Sequence, residues 1–196
     1  MVNQAQEMME RQMHQLVRLV DDLLDVSRII RGNIELRKES VDIAAAVGRA
    51  VETAYPVIEV HGHELNVSLP DHPVFVEADL IRPAQVLANL LTNAAKYSDQ
   101  AGKIWLSVER ENGDAVMRVR DMGIGTTPEF VPHIFDVFVQ GDRSLARSQG
   151  GLGIGLSLVK RLVEMHGGAV AVSSAGLGYG TEFVVRLGAE GNGGSS

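Results

Sequence analysis

Three short blocks of this sequence carry residues with chemistry to offer. The first is Asn89-Leu90-Leu91-Thr92-Asn93-Ala94-Ala95-Lys96-Tyr97. Asn89 and Asn93 are four positions apart, so a helix places both amides on one face. Amide oxygens suit Mg²⁺, a hard ion that keeps several waters and borrows phosphate oxygens. Lys96 lies one turn further on and can meet a phosphate as a point charge. Tyr97 offers a ring to stack near a nucleotide and a hydroxyl to bond it. The second block is Asp121-Met122-Gly123-Ile124-Gly125, directly after an alternating segment. A carboxylate at a strand end can accept a hydrogen bond from an adenine amino group, and Gly123 and Gly125 let the backbone come close. The third block is Gly150-Gly151-Leu152-Gly153-Ile154-Gly155-Leu156, running into a helix. Its backbone N–H groups and the helix N-terminus make an anion site that needs no side-chain charge.

Each block has an ordinary reading by itself. An Asn/Lys face is commonly a solvated one, and Asp with Gly is the default composition of a turn. Leu87, Leu90, Leu91 and Ala94 form the apolar stripe of the first helix, with Asn89 and Asn93 at its border. Amides bordering a core need partners, which favours a ligand. The third block is not a dinucleotide fingerprint, because a polar loop (residues 141–150) precedes it where a βαβ strand is required. It also lacks the Gly-Lys-Ser/Thr ending of a P-loop. The preceding loop is long enough to act as a lid that closes on a ligand.

Elements must position these blocks. Residues 5–31 read as one long helix, with Met9, Met13, Leu16, Val20, Leu23, Ser27 and Ile30 on a heptad seam that Val17 and Leu24 widen. Gly32-Asn33 ends it. One apolar face on a lone helix demands a partner helix or a second copy of the chain. Ile34 and Leu36 alternate with charged residues and predict a short strand. Asp42 caps a helix to about Ala54, and residues 64–69 and 74–77 read as strands around Pro70-Asp71-His72-Pro73. Asp79 caps a helix to about Tyr97. Residues 103–110 and 115–120 form a hairpin about Asn112-Gly113. Pro128 opens a short helix to about Phe138, and residues 152–166 form a helix ended by Gly167-Gly168. A last hairpin joins residues 169–173 and 181–187, and the Gly/Ser-rich residues 188–196 read as a flexible tail. This order predicts an α+β fold: a two-layer sandwich with a mixed, mostly antiparallel sheet covered on one face by helices 42–54, 79–97 and 152–166.

The bulk numbers narrow the function classes. With 196 residues, 45% of them hydrophobic, the chain can bury a core without staples. It has no cysteine, which excludes disulfides and thiolate metal sites. A formal net charge of −7 argues against nucleic acid as a partner. No run of eighteen apolar residues exists and the N-terminus is polar. The expectation is a cytoplasmic chain without a membrane segment, whatever anchors a longer parent.

In this order the three blocks resemble the ATP-binding half of two-component sensor histidine kinases. Ile134-Phe135-Asp136-Val137-Phe138-Val139-Gln140 is similar to that family's phenylalanine box, and Gly180-Thr181-Glu182-Phe183 to its final Gly-Thr-x-Phe strand. The resemblance covers about residues 10–187. It implies the Bergerat-type ATP-binding sandwich shared with gyrase, mismatch-repair and chaperone ATPases. It further implies that Asn93 holds Mg²⁺ with Asn89 assisting, and Asn89 is the candidate catalytic residue. Lys96 and Tyr97 would contact phosphate and nucleotide, and Asp121 would read the adenine amino group in a turn shaped by Gly123 and Gly125. Gly151, Leu152, Gly153, Ile154, Gly155 and Leu156 would line the phosphates, and Thr181 would sit near adenine. Leu23-Leu24-Asp25-Val26-Ser27-Arg28-Ile29 looks like the second helix of the family's dimerisation hairpin. The division is then 1–32 partial hairpin, 33–187 catalytic unit and 188–196 tail.

The sequence departs from a complete kinase in one respect. The family's phosphoacceptor stands in a His-Glu-x-x-x-Pro setting on the first hairpin helix. Of the six histidines, His63 is followed by Glu64, but Ser68 stands where Pro is required and the stretch alternates as a strand. His14 lies on the second helix and reads as a polar face residue, while His166 precedes a Gly-Gly stop and reads as a partner of its helix end. The acidic base that follows the acceptor is missing with it. The expected function is therefore the catalytic portion of a sensor or hybrid histidine kinase. It would bind ATP or ADP with Mg²⁺, lack efficient self-phosphorylation, and serve a response-regulator receiver domain. Self-association through residues 5–31 is expected of the seam. A nucleotide-sensing interaction module is the reading from another class, and a serine kinase or ATPase of the same fold a third.

Overall fold

The computed structural model describes residues 36–98, 101–137 and 153–190, together with Met9, Met13, Val17, Val20 and Leu24. Those five are helical and exposed. The rest of the predicted helix 5–31, its Gly32-Asn33 stop, Ile34, the loop 141–150 and most of the tail lie outside the described residues.

The first strand, β1 (Glu39–Asp42), starts later than expected, since Leu36 is not in a strand. Asp42 closes it and caps helix α1 (Ile43–Val60), accepting from Ala44 N at 3.0 Å. The helix runs past the predicted end at Ala54 and carries Pro56 inside it. Burial explains the overrun. Ala50, Ala54 and Ile58 are almost fully buried, so the apolar stripe continues through the proline and offsets its missing hydrogen bond. His61 and Gly62, with φ +68°, end the helix.

Strands β2 (Glu64–Ser68) and β3 (Phe75–Ala78) follow. Helix α2 spans Ile81–Tyr97 with Leu80, not the expected Asp79, at its N-cap; Asp79 stands one residue earlier and its Oδ1 accepts from Ile81 N at 3.1 Å. Strands β4 (Lys103–Glu111) and β5 (Asp114–Asp121) are joined by Asn112 and Gly113, both at positive φ, which gives the twist that a two-residue hairpin needs. The helix predicted from Pro128 is not α-helical. Residues 128–130 turn and Val131–His133 form a single 3₁₀ turn. Pro132 has no N–H to give an α-helical ladder, and the turn closes with three-residue steps such as His133 N to Phe130 O. Helix α3 (Gly155–Met165) and strands β6 (Ala169–Ser173) and β7 (Glu182–Gly188) complete the chain.

Five strands form one sheet in the order β2-β4-β5-β7-β6. Only the β2–β4 pair is parallel. β1 and β3 form a separate antiparallel pair, linked to the end of β7 by the Val76–Ala189 bridge. One sheet face carries Ile104, Leu106, Met117, Val119, Phe183 and Val185 into the core. Ile58 of α1, Leu87, Leu90 and Leu91 of α2, and Leu158 and Leu162 of α3 meet them. The other face is polar: Arg118 bridges Glu111 at 2.6 Å and Glu109 at 3.2 Å, and Arg120 lies over Trp105. One apolar and one polar sheet face make this the expected two-layer α+β arrangement. Among the described residues no helix is long and apolar enough to cross a membrane.

Candidate functional site

Asp121 is the last residue of β5, in register with Ile104 of β4, and is 4% exposed. Its Oδ1 accepts from Gly123 N at 2.8 Å and from Thr181 N at 3.2 Å. Its own N–H donates to Thr181 O at 2.9 Å. Both side-chain bonds use Oδ1, so Oδ2 has no partner among the described residues. Burial raises the carboxyl pKa, and the two backbone N–H groups and the nearby His63 oppose that rise.

The turn after Asp121 is held on three sides by backbone. Ile124 N donates to Tyr97 O at 2.9 Å, and a side chain at Gly123 would collide with that carbonyl. Gly180 N donates to Gly123 O at 3.0 Å, and Gly178 N to Ile124 O at 2.8 Å. Gly125 has φ +67° and lies against Gly176 O. The predicted glycines are therefore needed for close approach, and Gly125 for its backbone angle as well.

Helix α2 delivers Asn89, Asn93, Lys96 and Tyr97, all half-buried beside the core stripe of Leu87, Leu90, Leu91 and Ala94. Asn89 Nδ2 is buried and makes no hydrogen bond, which suits a side chain that awaits a ligand. Burial raises the pKa of the Tyr97 hydroxyl. Ser98 Oγ, directly after the helix, is also buried without a partner.

At the start of α3, Gly153 has φ +69° and Gly155 is the first helical residue. The Ile154 side chain is buried and Leu156 packs against the core, so these two offer a ligand their backbone. The helix terminus presents N–H groups of the kind that meet phosphates. Gly151 and Leu152 lie outside the described residues. Phe135 packs edge-on against Phe183 at 6.2 Å with Lys160 over its ring, which pins the segment after the 3₁₀ turn to the core.

The described histidines have structural employment or lie in loops. His63 is buried, donates from Nε2 to Ala95 O at 2.8 Å and accepts at Nδ1 from Gly102 N at 3.1 Å. His61 stacks on it and bonds Val57 O. His133 pairs with Asp136, and His72 is exposed in the turn before β3. His166 Nδ1 donates to Leu162 O at 2.7 Å, as its helix-end position suggested, and its Nε2 accepts from Asp79 N at 3.2 Å. His14 lies outside the described residues.

Sequence reasoning missed Ser174, which ties the β6–β7 loop to the turn after β5. A serine in a Gly-rich loop has no periodicity or spacing to mark it. Gly180 was quoted only as part of a motif, yet a side chain there would strike Asp121 O. Among the described residues no three His, Asp or Glu side chains gather as a metal site.

Comparison with known proteins identifies the family and the fold. Residues 78–191, more than half of the chain, match the family model for histidine kinase-, DNA gyrase B-, and HSP90-like ATPases. The circadian input-output histidine kinase CikA of Synechococcus elongatus is 34% identical over 88% of this chain and 23% of its own length. The chain spans less than a third of the length of the curated relatives it matches. Among solved structures, full-length ShkA in complex with AMPPNP superposes with a TM-score of 0.76 at 32% identity, over 89% of this chain and 36% of that one. The mycobacterial sensor histidine kinase MprB superposes with a TM-score of 0.68 at 27% identity, over 78% of this chain and 98% of that one.

Proposed function

This chain belongs to the histidine kinase-, DNA gyrase B- and HSP90-like ATPase family, and we propose that it is the catalytic portion of a sensor histidine kinase that binds Mg-ATP for phosphoryl transfer to a histidine. The observation that carries this is Asp121: a buried carboxylate with one oxygen fixed by Gly123 and Thr181 and the other left unpaired. The second oxygen is left open to accept from a ligand, and an adenine amino group is a donor of the right kind. Thr181 sits beside that carboxylate, and Gly123 and Gly125 keep the floor bare of side chains.

Asn93, with Asn89 assisting, is the choice for Mg²⁺, because the described residues offer amides and no carboxylate cluster. When bound, Mg²⁺ supplies neutralisation of the phosphate charge. Lys96 adds charge, Tyr97 a ring against the nucleotide, and the backbone of Gly151–Leu156 a cradle for the phosphates. Asn89 is the candidate catalytic residue by its place beside the metal. Transfer depends on positioning and on charge stabilisation, so the acceptor histidine must be brought in by another helix. Residues 33–187 form the catalytic unit in this reading, residues 1–32 half of a dimerisation hairpin, and residues 188–196 a link onward. The phosphoryl group would pass on to a response-regulator aspartate, in the cytoplasm.

A second reading rests on the histidines. None of those described stands on an exposed α-helix face as an acceptor would; His133 is exposed but lies on a single 3₁₀ turn and pairs with Asp136. The chain would then bind nucleotide and signal through a partner on the exposed stripe of Met9, Met13, Val17, Val20 and Leu24. Calorimetric titration with ADP, with and without Mg²⁺, tests both. Saturable Mg²⁺-dependent binding that weakens in Asn93→Ala supports the site. Phosphoryl transfer to a hairpin helix supplied in trans then separates kinase from sensor. No binding at millimolar nucleotide would refute both readings.

A further inference from the structure

The β6–β7 loop contains a hydroxyl with an unusual number of backbone partners. Ser174 Oγ donates to Gly180 O at 2.7 Å, with Gly176 O a longer alternative acceptor at 3.2 Å. It accepts from Thr126 N at 3.1 Å and from Gly176 N at 3.3 Å. One donor and two acceptors exhaust what a serine hydroxyl can do. These partners belong to two distant segments: Thr126 ends the turn after Asp121, and Gly180 immediately precedes Thr181. Both segments reach the Asp121 carboxylate, one through Gly123 N and the other through Thr181 N.

The backbones here are already in contact. A side chain at Gly125 would strike Gly176 O, and one at Gly180 would strike Asp121 O. No other side chain can be placed between them as a spacer, so their separation depends on what bridges them. Two backbone bonds, Gly178 N to Ile124 O and Gly180 N to Gly123 O, close one side of the contact. Ser174 closes the other, and among the described bonds it alone joins Thr126 to the 176–180 loop through a side chain.

We infer that Ser174 is a positioning residue that sets the orientation of the Asp121 carboxylate and thereby the choice of base. The inference rests on the nucleotide reading of the site and deepens it. A carboxylate oxygen accepts from the amino group of adenine and repels the carbonyl that guanine carries at the same ring position. Discrimination therefore depends on where Oδ2 points, which the two N–H donors to Oδ1 determine. Loosening Thr126 and Gly180 frees both donors and lets the carboxylate turn.

The test compares ADP and GDP binding by titration calorimetry in the wild-type chain, Ser174→Ala, Asp121→Ala and Thr53→Ala. Thr53 is an exposed α1 residue bonded to Arg49 O and serves as the distant control. Amide hydrogen exchange is followed in parallel. The expectation for Ser174→Ala is that the ADP-over-GDP preference falls by about tenfold, the effect of one well-placed hydrogen bond. Exchange at Thr126, Gly123 and Thr181 should quicken while the β4–β5 hairpin stays protected. Thr53→Ala should match wild type. An unchanged preference in Ser174→Ala, with Asp121→Ala having lost it, overturns the role of Ser174 and leaves the nucleotide reading standing. Equal weakening of ADP and GDP, with exchange quickened throughout the sheet, also overturns it and assigns Ser174 to general stability. A wild-type chain that binds neither nucleotide removes the nucleotide reading and this inference with it.

Discussion

The carbonyl oxygen of Tyr97 occupies the space where a side chain at Gly123 would stand, and the next residue, Ile124, donates to it at 2.9 Å. The last turn of α2 is thereby fastened to the loop that follows β5. With the packing of Leu87, Leu90 and Leu91 on the sheet, that contact makes the Asn89–Tyr97 face and the Asp121 carboxylate parts of one surface.

Gly123→Ala should separate them. The added methyl must displace backbone rather than a flexible side chain, so the loss should be about 1–3 kcal/mol. Nucleotide binding should fall more steeply than the melting temperature. Gly62→Ala is the contrasting case: its φ of +68° is unfavourable for alanine but the space around it is open. It should cost roughly 1 kcal/mol and leave binding intact. Thermal melting with ADP titration on both variants checks the pair.

Asp121→Asn should abolish adenine recognition yet make the unliganded protein more stable. Burial raises the pKa of this carboxyl from its ordinary 3.8, so folding disfavours the charged form. Its contribution is most favourable below that value and is lost as pH rises through the folded pKa. The asparagine keeps an oxygen for Gly123 and Thr181 without the charge. Its melting temperature should therefore exceed wild type at neutral pH and approach it in acid. A lower neutral-pH melting temperature than wild type would contradict the account.

His166 predicts the opposite pH response. Burial lowers its pKa below 6.5, with Lys38 and Arg82 adding to the effect while the Leu162 carbonyl and Asp79 oppose it. The neutral ring is the folded form, because Nε2 accepts from Asp79 N. The unfolded chain takes up the proton first, so stability should be full above 6.5 and decline as pH falls below it. His166→Ala should remove that slope and cost about 1–3 kcal/mol at neutral pH, since Asp79 N loses its acceptor. Urea unfolding across the acid range measures both.

Phe183→Ala should be the severest core change near the site. The ring is 1% exposed and receives the edge of Phe135. A loss of about 3–5 kcal/mol is expected. Phe135→Ala should cost less, because that ring is only partly buried, but should weaken ADP binding by releasing the segment after the 3₁₀ turn from Phe183. Chemical denaturation and titration distinguish the two.

Much of this site is legible along the chain. The stripe Leu87, Leu90, Leu91 and Ala94 defines both the α2 core face and the border where Asn89 and Asn93 fall. Asp42 and Asp79 announce helix starts, and Asn112-Gly113 a hairpin. These features are local: a helix repeats within four residues and a turn within two, so residue type and spacing suffice to determine them. The fold class followed from the order of such elements.

Other features needed the tertiary structure. The helix capped by Asp42 reads as ending near Ala54, yet burial of Ile58 carries it on through Pro56. Pro128 reads as a helix start, yet Pro132 leaves only a 3₁₀ turn. That Asp121 is buried with one oxygen unpaired, that Tyr97 O meets Gly123, and that Ser174 reaches Thr126 all join positions far apart in sequence. Such contacts are made by backbone groups, which every residue carries alike, so side-chain pattern cannot mark them. Sequence alone determined which residues bring the chemistry; packing of the helices on the sheet decided how closely their backbones meet, and hence which way the carboxylate is held.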